Sequence, residues 1–314
     1  MIYLYVFLGF FAIIFCFLLY IFNTAFYNPP RKRHKKFNMD REQYYSLGDK
    51  VKEPVRFVKE AEYEKITIVS NDGYVLTGKY FHYKDGAPLD IIFHGYRSDS
   101  YNDCGGGYKL AKDLGHNVLL PDQRSHGESE GNIITFGVNE RHDCLSWCNY
   151  ASNRFKDVKI VISGVSMGAA TVLMASDLDL PKNVKGIIAD CGFSRPIDII
   201  LEVGRTMGIS PKIASPFVTL AAKLLGGFDI HKTSSVQAVK NAKVPILIVH
   251  GDDDRLVPVN MAYKIYEACN NKKQLLIVKG AGHGLSYIIE EELYKKTIND
   301  FKTAVINEDY SIFE

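Results

Sequence analysis

The chain has 314 residues, 46% hydrophobic and 24% charged, which suits one large globular domain with an appendage and gives no sign of two cores. Its formal charge of +2 is concentrated: residues 1–30 contain no Asp, Glu, Lys or Arg, and residues 31–36 hold five of the 38 basic residues, leaving 33 basic against 36 acidic. A mildly acidic body excludes nucleic acid as an electrostatic partner. The six cysteines, at 16, 104, 144, 148, 191 and 269, follow neither a disulfide framework nor a zinc-ligand spacing, and read as reduced, buried thiols.

Residues 2–22 are uncharged and almost wholly apolar, and at about 1.5 Å per residue they span roughly 30 Å as a helix. No positive charge precedes the run, unlike the start of a signal peptide, so residues 1–27 are expected to be a transmembrane anchor. The block Arg31-Lys32-Arg33-His34-Lys35-Lys36 follows, and the positive-inside rule puts it and the body on the cytoplasmic side. The same block suits anionic head groups, at about 1 kcal/mol per basic residue near the surface. Residues 28–62 read as this basic juxtamembrane segment and a linker with one short helix.

From residue 63 to 314 the pattern is that of one domain. Two alternating runs, 64–70 and 74–81, flank Asn71-Asp72-Gly73 and predict a hairpin. Apolar runs at 89–93, 117–120, 158–162, 184–189, 244–249 and 274–278 then alternate with helix-compatible segments at about 99–114, 136–153, 167–178, 258–270 and 286–306. That alternation predicts a mostly parallel sheet covered by helices on both faces. The connection 193–241 is too long for a simple crossover and is expected to form a small helical cap over the carboxyl ends of the strands. Gly105-Gly106-Gly107 lacks nucleotide-binding spacing and reads as a loop or helix start, so no cofactor is implied.

The chemistry centres on Gly164-Val165-Ser166-Met167-Gly168, which follows a β-branched run and leads into a helical one. A serine hydroxyl needs a base, a group to orient that base and donors for the developing oxyanion. The run 244–249 leads into His250-Gly251-Asp252-Asp253-Asp254, and the last strand leads into Gly282-His283-Gly284, giving the order Ser, Asp, His. With His94-Gly95-Tyr96 and Asp122-Gln123-Arg124-Ser125-His126-Gly127-Glu128-Ser129, these motifs resemble those of an α/β-hydrolase. The closer resemblance is to bacterial membrane-anchored serine hydrolases related to serine peptidase and esterase groups. The usual glycine before His126 is Ser125 here.

The resemblance implies Ser166 as nucleophile, His283 as general base and then acid, and Asp254 as the group that orients the imidazole. Asp252 and Asp253 compete for the last role, and the spacing to Val257-Pro258 selects Asp254. The backbone N–H groups of Tyr96 and Met167 would form the oxyanion hole. No metal is implied. The expected function is hydrolysis of a carboxylic ester, thioester or amide through an acyl-serine, with an esterase or lipase-like acyl hydrolase preferred. A serine peptidase is the alternative, then an acyltransferase or a membrane-tethered binding protein without turnover. A serine at the elbow, an apolar cap and a membrane anchor together favour a small-molecule or lipid acyl substrate, with a peptide as the other candidate.

Overall fold

The computed structural model describes residues 1–33, 43 and 46–313, so His34, Lys35 and Lys36 of the basic block lie outside the described residues. Eight strands form one sheet in the order β1-β2-β4-β3-β5-β6-β7-β8. They are β1 (Glu64–Val69), β2 (Val75–Phe81), β3 (Leu89–Phe93), β4 (Asn117–Pro121), β5 (Ile160–Val165), β6 (Val184–Asp190), β7 (Ile246–Gly251) and β8 (Lys273–Val278). The expected hairpin pairs Glu64 with Tyr80 and Val69 with Val75, and β2 then lies antiparallel to β4. Every further pairing is parallel. The apolar runs are near-continuous because both faces are covered; all five residues of β3 and all six of β7 are buried.

Two apolar layers sandwich this sheet. On one side Ile91, Ile162, Ile187 and Ile248 pack with Trp147 and Val172. On the other, Val161, Ile188 and Val249 meet Leu110, Ile298 and Phe301.

The helix expected at about 99–114 runs Ser100–Asp113, and Gly105, Gly106 and Gly107 lie inside it, past its first turn, where they allow close packing. A Cβ on Gly105 would fall 2.7 Å from the Pro54 carbonyl oxygen of the helix Asp49–Lys59, and one on Gly106 would fall 3.0 Å from the Tyr287 ring. The helix expected from 136 begins at Glu140, because Glu140 turns back to accept from the Thr135 and Gly137 amides, both at 2.8 Å, and holds the preceding residues as a turn.

The connection between β6 and β7 carries two cap helices, Pro196–Thr206 and Pro211–Leu224. The N-terminal helix Ile2–Ile21 continues into a π-turn, Phe22–Phe26. Ile2–Phe26 is the one stretch among the described residues long and apolar enough, by length and composition, to cross a membrane. Its far end is built into the domain. Leu18 and Phe26 are buried in one cluster with Val218 and Phe228 of the cap, Tyr27 bridges Ile133, and Asn28 Nδ2 donates to the Ser125 carbonyl at 2.8 Å. Arg33 gives its guanidinium to the carbonyls of Gly127, Ser129 and Gly131, and Lys32 donates to Asn23 and Tyr27.

Within β3 the fully buried Asp90 is paired with Lys302 Nζ at 2.9 Å and His116 Nδ1 at 2.8 Å. Burial alone would raise the Asp90 pKa, but the Lys302 ammonium and the His116 hydrogen bond hold it below the ordinary value. Removing the carboxylate strands a buried ammonium. Asp90→Ala is therefore expected to cost about 3–5 kcal/mol of stability, read as a lower denaturant midpoint; Lys302→Met with Asp90→Leu should recover most of the loss.

Candidate active site

Strand β5 ends at Val165 and the helix Met167–Ala175 begins immediately, leaving Ser166 alone to turn the chain. Ser166 does so with φ 56° and ψ −116°, a conformation that costs a side-chain-bearing residue free energy. The glycines on either side make the turn feasible. A Cβ on Gly164 would sit 2.3 Å from the Gly168 carbonyl carbon, and one on Gly168 would sit 2.1 Å from the Phe93 carbonyl oxygen. The Ser166 amide donates to Asp190 O at the end of β6 at 2.9 Å, which ties the turn to the neighbouring strand.

The residues singled out from the sequence come together here. Ser166 Oγ lies 2.9 Å from His283 Nε2, and His283 Nδ1 lies 2.7 Å from Asp254 Oδ2. The three come from the ends of β5, β8 and β7, and all are buried. An ionised carboxylate only accepts, so Nδ1 carries the proton and Nε2 is left to accept from the serine hydroxyl. The other Asp254 oxygen accepts from the amides of Leu256 and Val257, at 2.9 and 2.8 Å. Neither competitor reaches the imidazole: Asp252 accepts from the Gly280 amide and Asp253 pairs with Arg255 at the surface.

Charge is strongly organised at this chain of groups. Burial would raise the Asp254 pKa, but His283 and His250, whose Nε2 lies 3.3 Å away, hold the carboxyl well below its usual range. Burial would likewise lower His283, yet the imidazole is held well above 6.5 by its neighbours, Cys191 and Asp254. Burial pushes the Cys191 thiol up to about 11.

The loop after β3 runs beside the elbow. A Cβ on Gly95 would fall 3.2 Å from Ser166 Cβ. Asp103, a half-buried residue whose pKa burial raises, accepts from the Gly95 amide at 2.7 Å and from Ser98 Oγ at 2.6 Å. The Tyr96 hydroxyl donates to the carbonyls of Thr24 and Ala25 at 3.1 and 2.8 Å, and its ring stacks on Phe136. Met167, the first residue of its helix, has an amide with no partner one turn back.

Asp103, Cys191 and the Thr24–Ala25 carbonyls are neighbours that sequence reasoning missed. Only Cys191 had a sequence signal, its place directly after β6. Cys191 Sγ lies 3.8 Å from His283 Nε2, and with Asp254 and His283 it could offer three metal-ligating atoms within 4.8 Å. Both imidazole nitrogens are already engaged by Asp254 and Ser166, so the grouping follows from the hydrogen-bonded chain itself. A cavity of about 100 Å³ lies behind the elbow, lined by Gly106, Gly164, Tyr287 and Tyr294, and none of Ser166, Asp254 and His283 lines it.

The other motif histidines hold loops. His94 Nε2 accepts from the Gln123 amide at 3.0 Å and His126 Nε2 from the Arg97 amide at 2.9 Å. Where the usual motif has glycine, Ser125 adopts φ 64° and donates its hydroxyl to Ile133 O at 3.0 Å. The unusual residue keeps the backbone conformation a glycine would take.

Residues 91–235 match the family model described as alpha/beta hydrolase fold. An uncharacterised Bacillus subtilis protein, YqkD, is 28% identical over 247 residues, 77% of this chain and 80% of its own. The zebrafish lysophosphatidylserine lipase ABHD12 is 26% identical over 191 residues, 58% of this chain and 45% of that protein. Among solved structures, the Pyrococcus furiosus esterase Pf2001 superposes with a TM-score of 0.66 at 21% identity, covering 90% of this chain and 99% of that one. Est1E from Butyrivibrio proteoclasticus, with ferulic acid bound, gives 0.60 at 22% identity, covering 79% and 100%. The sheet order and the one-residue turn from strand to helix agree with these likenesses: the chain has the α/β-hydrolase fold.

Proposed function

We propose that this protein is a serine hydrolase that cleaves a carboxylic ester of an apolar acyl group, through an acyl-enzyme on Ser166. The observation that carries the reading is the hydrogen-bonded chain from Ser166 Oγ through His283 to Asp254, set on a strained turn. The esterase and lipase names among its relatives and structural neighbours support it. Ser166 Oγ attacks the acyl carbon as its proton passes to His283 Nε2, and the carbonyl oxygen becomes an oxyanion facing the Met167 and Tyr96 amides. The imidazolium, stabilised by Asp254, gives that proton to the leaving alkoxide. Water, deprotonated by the same nitrogen, then cleaves the acyl-serine and releases the acid. The apolar cap and the N-terminal apolar helix support a lipid or other acyl ester, and the basic block supports a body on the cytoplasmic face.

A fluorophosphonate probe should label the full-length protein in membranes at Ser166, and Ser166→Ala should abolish labelling and lower kcat on the order of 10⁶-fold. A folded wild type that is not labelled would overturn the reading in favour of a binding protein. A panel of esters, thioesters and aminoacyl amides then tests the leaving group; cleavage of amides alone would replace the esterase by a peptidase, and product analysis with alcohol acceptors would reveal an acyltransferase. Protease protection in spheroplasts tests the membrane side.

The proton inventory sets a pH dependence. His283 must be neutral to act as base, and its pKa is held above 6.5. With a soluble ester, kcat/KM should therefore fall as pH drops through a midpoint above 6.5. Asp254→Asn removes the anion that favours the imidazolium, so the limb should move to lower pH while kcat falls on the order of 10⁴-fold.

Tyr96→Phe leaves the amide but removes the hydroxyl that ties this loop to Thr24 and Ala25. One lost hydrogen bond of about 1 kcal/mol predicts a kcat lower by up to about tenfold with KM little changed. An unchanged kcat would show that the tie does not position the loop.

A further inference from the structure

The second cap helix, Pro211–Leu224, has two apolar sides. Ala214, Val218, Ala221 and Ala222 are buried against the domain. Ile213, Phe217, Leu220 and Leu224 follow spacings of four, three and four, which places them along one face of the helix. Of these, Phe217 meets Phe17 of the N-terminal helix edge to face at 5.2 Å, while Ile213, Leu220 and Leu224 are 63%, 39% and 64% exposed. The helix carries no acidic residue, and an exposed lysine stands near each end, Lys212 and Lys223.

The length of the N-terminal helix says what covers this stripe. Residues 1–13 are exposed throughout, and from Ile14 onward one face of the helix packs on the domain, with Ile14, Leu18, Ile21 and Phe22 in the cluster shared with the cap. The free part, Ile2–Ile13, reaches about 18 Å, whereas a bilayer core is about 30 Å thick and takes about 20 residues. Tilt only lengthens the requirement. A span made of the helix Ile2–Ile21 fills that thickness only together with the turns that pack against the cap. Some two turns that pack against the cap must also lie in hydrocarbon, and Phe217 goes in with them. If hydrocarbon extends to Ile21, the Phe17–Phe217 contact lies four residues, about 6 Å, inside its boundary, the depth at which amphipathic surface helices sit.

We propose that the helix Pro211–Leu224 is embedded in the same leaflet as the N-terminal helix, with Ile213, Leu220 and Leu224 among lipid acyl chains and Lys212 and Lys223 reaching the phosphates. The inference rests on the reading that Ile2–Phe26 enters a bilayer. The apolar cluster that begins at Leu18 continues through Val218 and Phe228 to Met167, beside Ser166. The cap thus joins the lipid layer to the candidate site, and the acyl substrate is a lipid ester of that leaflet.

The test uses the full chain in vesicles of phosphatidylcholine and phosphatidylglycerol, with the buried Trp147 as the sole native tryptophan. Reporters are Leu220→Trp and Leu224→Trp on the cap, Phe10→Trp on the free part of the N-terminal helix and Val69→Trp, exposed on β1. Brominated lipids are expected to quench the two cap reporters comparably with Phe10→Trp and to leave Val69→Trp unchanged. Quenching of Phe10→Trp alone overturns the inference and leaves the membrane reading standing. Cap reporters with blue-shifted emission but no quenching overturn it in favour of a second copy covering the stripe. No quenching at Phe10→Trp overturns both. None of these readouts depends on hydrolysis, so a failed hydrolase reading registers separately in the probe labelling.

Discussion

Everything else in this structure is arranged around the close approach of three backbones at Gly164, Gly168 and Phe93. With no side chain at either glycine, strand β5 and the following helix meet with a single residue between them, and that residue is forced to positive φ. The strain is held from several directions. The Asp190 carbonyl takes the Ser166 amide, and the loop after β3 lies within contact distance of its Cβ. Parallel register then aligns the ends of β5, β6, β7 and β8, so the loops bearing Ser166, Cys191, Asp254 and His283 converge at one edge.

Buried charge is placed according to whether it can be satisfied. Asp254 has two imidazoles on one oxygen and two amides on the other, so burial does not force it to take a proton. Arg124 lies between Asp143, at 2.6 Å, and Asp72, at 2.8 Å, and so locks the motif loop to the hairpin turn. Asp90 does the same between β3 and the helix Glu291–Asn307 through Lys302. Each group is costly alone and specific when paired. The proposed chemistry differs from the two structural clusters in one respect: its hydrogen-bonded chain ends on a hydroxyl, a group that can give up its proton to the imidazole.

The N-terminal helix belongs to this architecture as well as to any membrane. Phe26 packs edge to face on Phe136 and Phe228, and the carbonyls of residues 23–27 receive the Tyr96 hydroxyl and the Arg97 guanidinium. The loop that lies beside Ser166 is therefore tied to the end of the helix proposed to sit in lipid. Of the two basic residues that a charge count assigns to a membrane surface, Lys32 donates to the carbonyls of Asn23 and Tyr27 at the end of this helix and Arg33 to backbone carbonyls of the domain.

By itself the sequence determined the elements whose signals are local. Apolar runs placed the strands, Asn71-Asp72-Gly73 placed the hairpin, and Gly-x-Ser-x-Gly between a strand and a helix placed the elbow. It also singled out Ser166, Asp254 and His283, since each follows a strand end in a motif with little freedom. What it left open depended on contacts distant in the chain. The glycine run at 105–107 has no evident role until Pro54 and Tyr287 are seen packed on it. Asp103 under the Gly95 amide, Cys191 beside His283 and the tie from Tyr96 to Ala25 join residues 8, 92 and 71 positions apart. Periodicity reports which face of an element is apolar, whereas only the folded chain decides which polar atoms meet once those faces are buried.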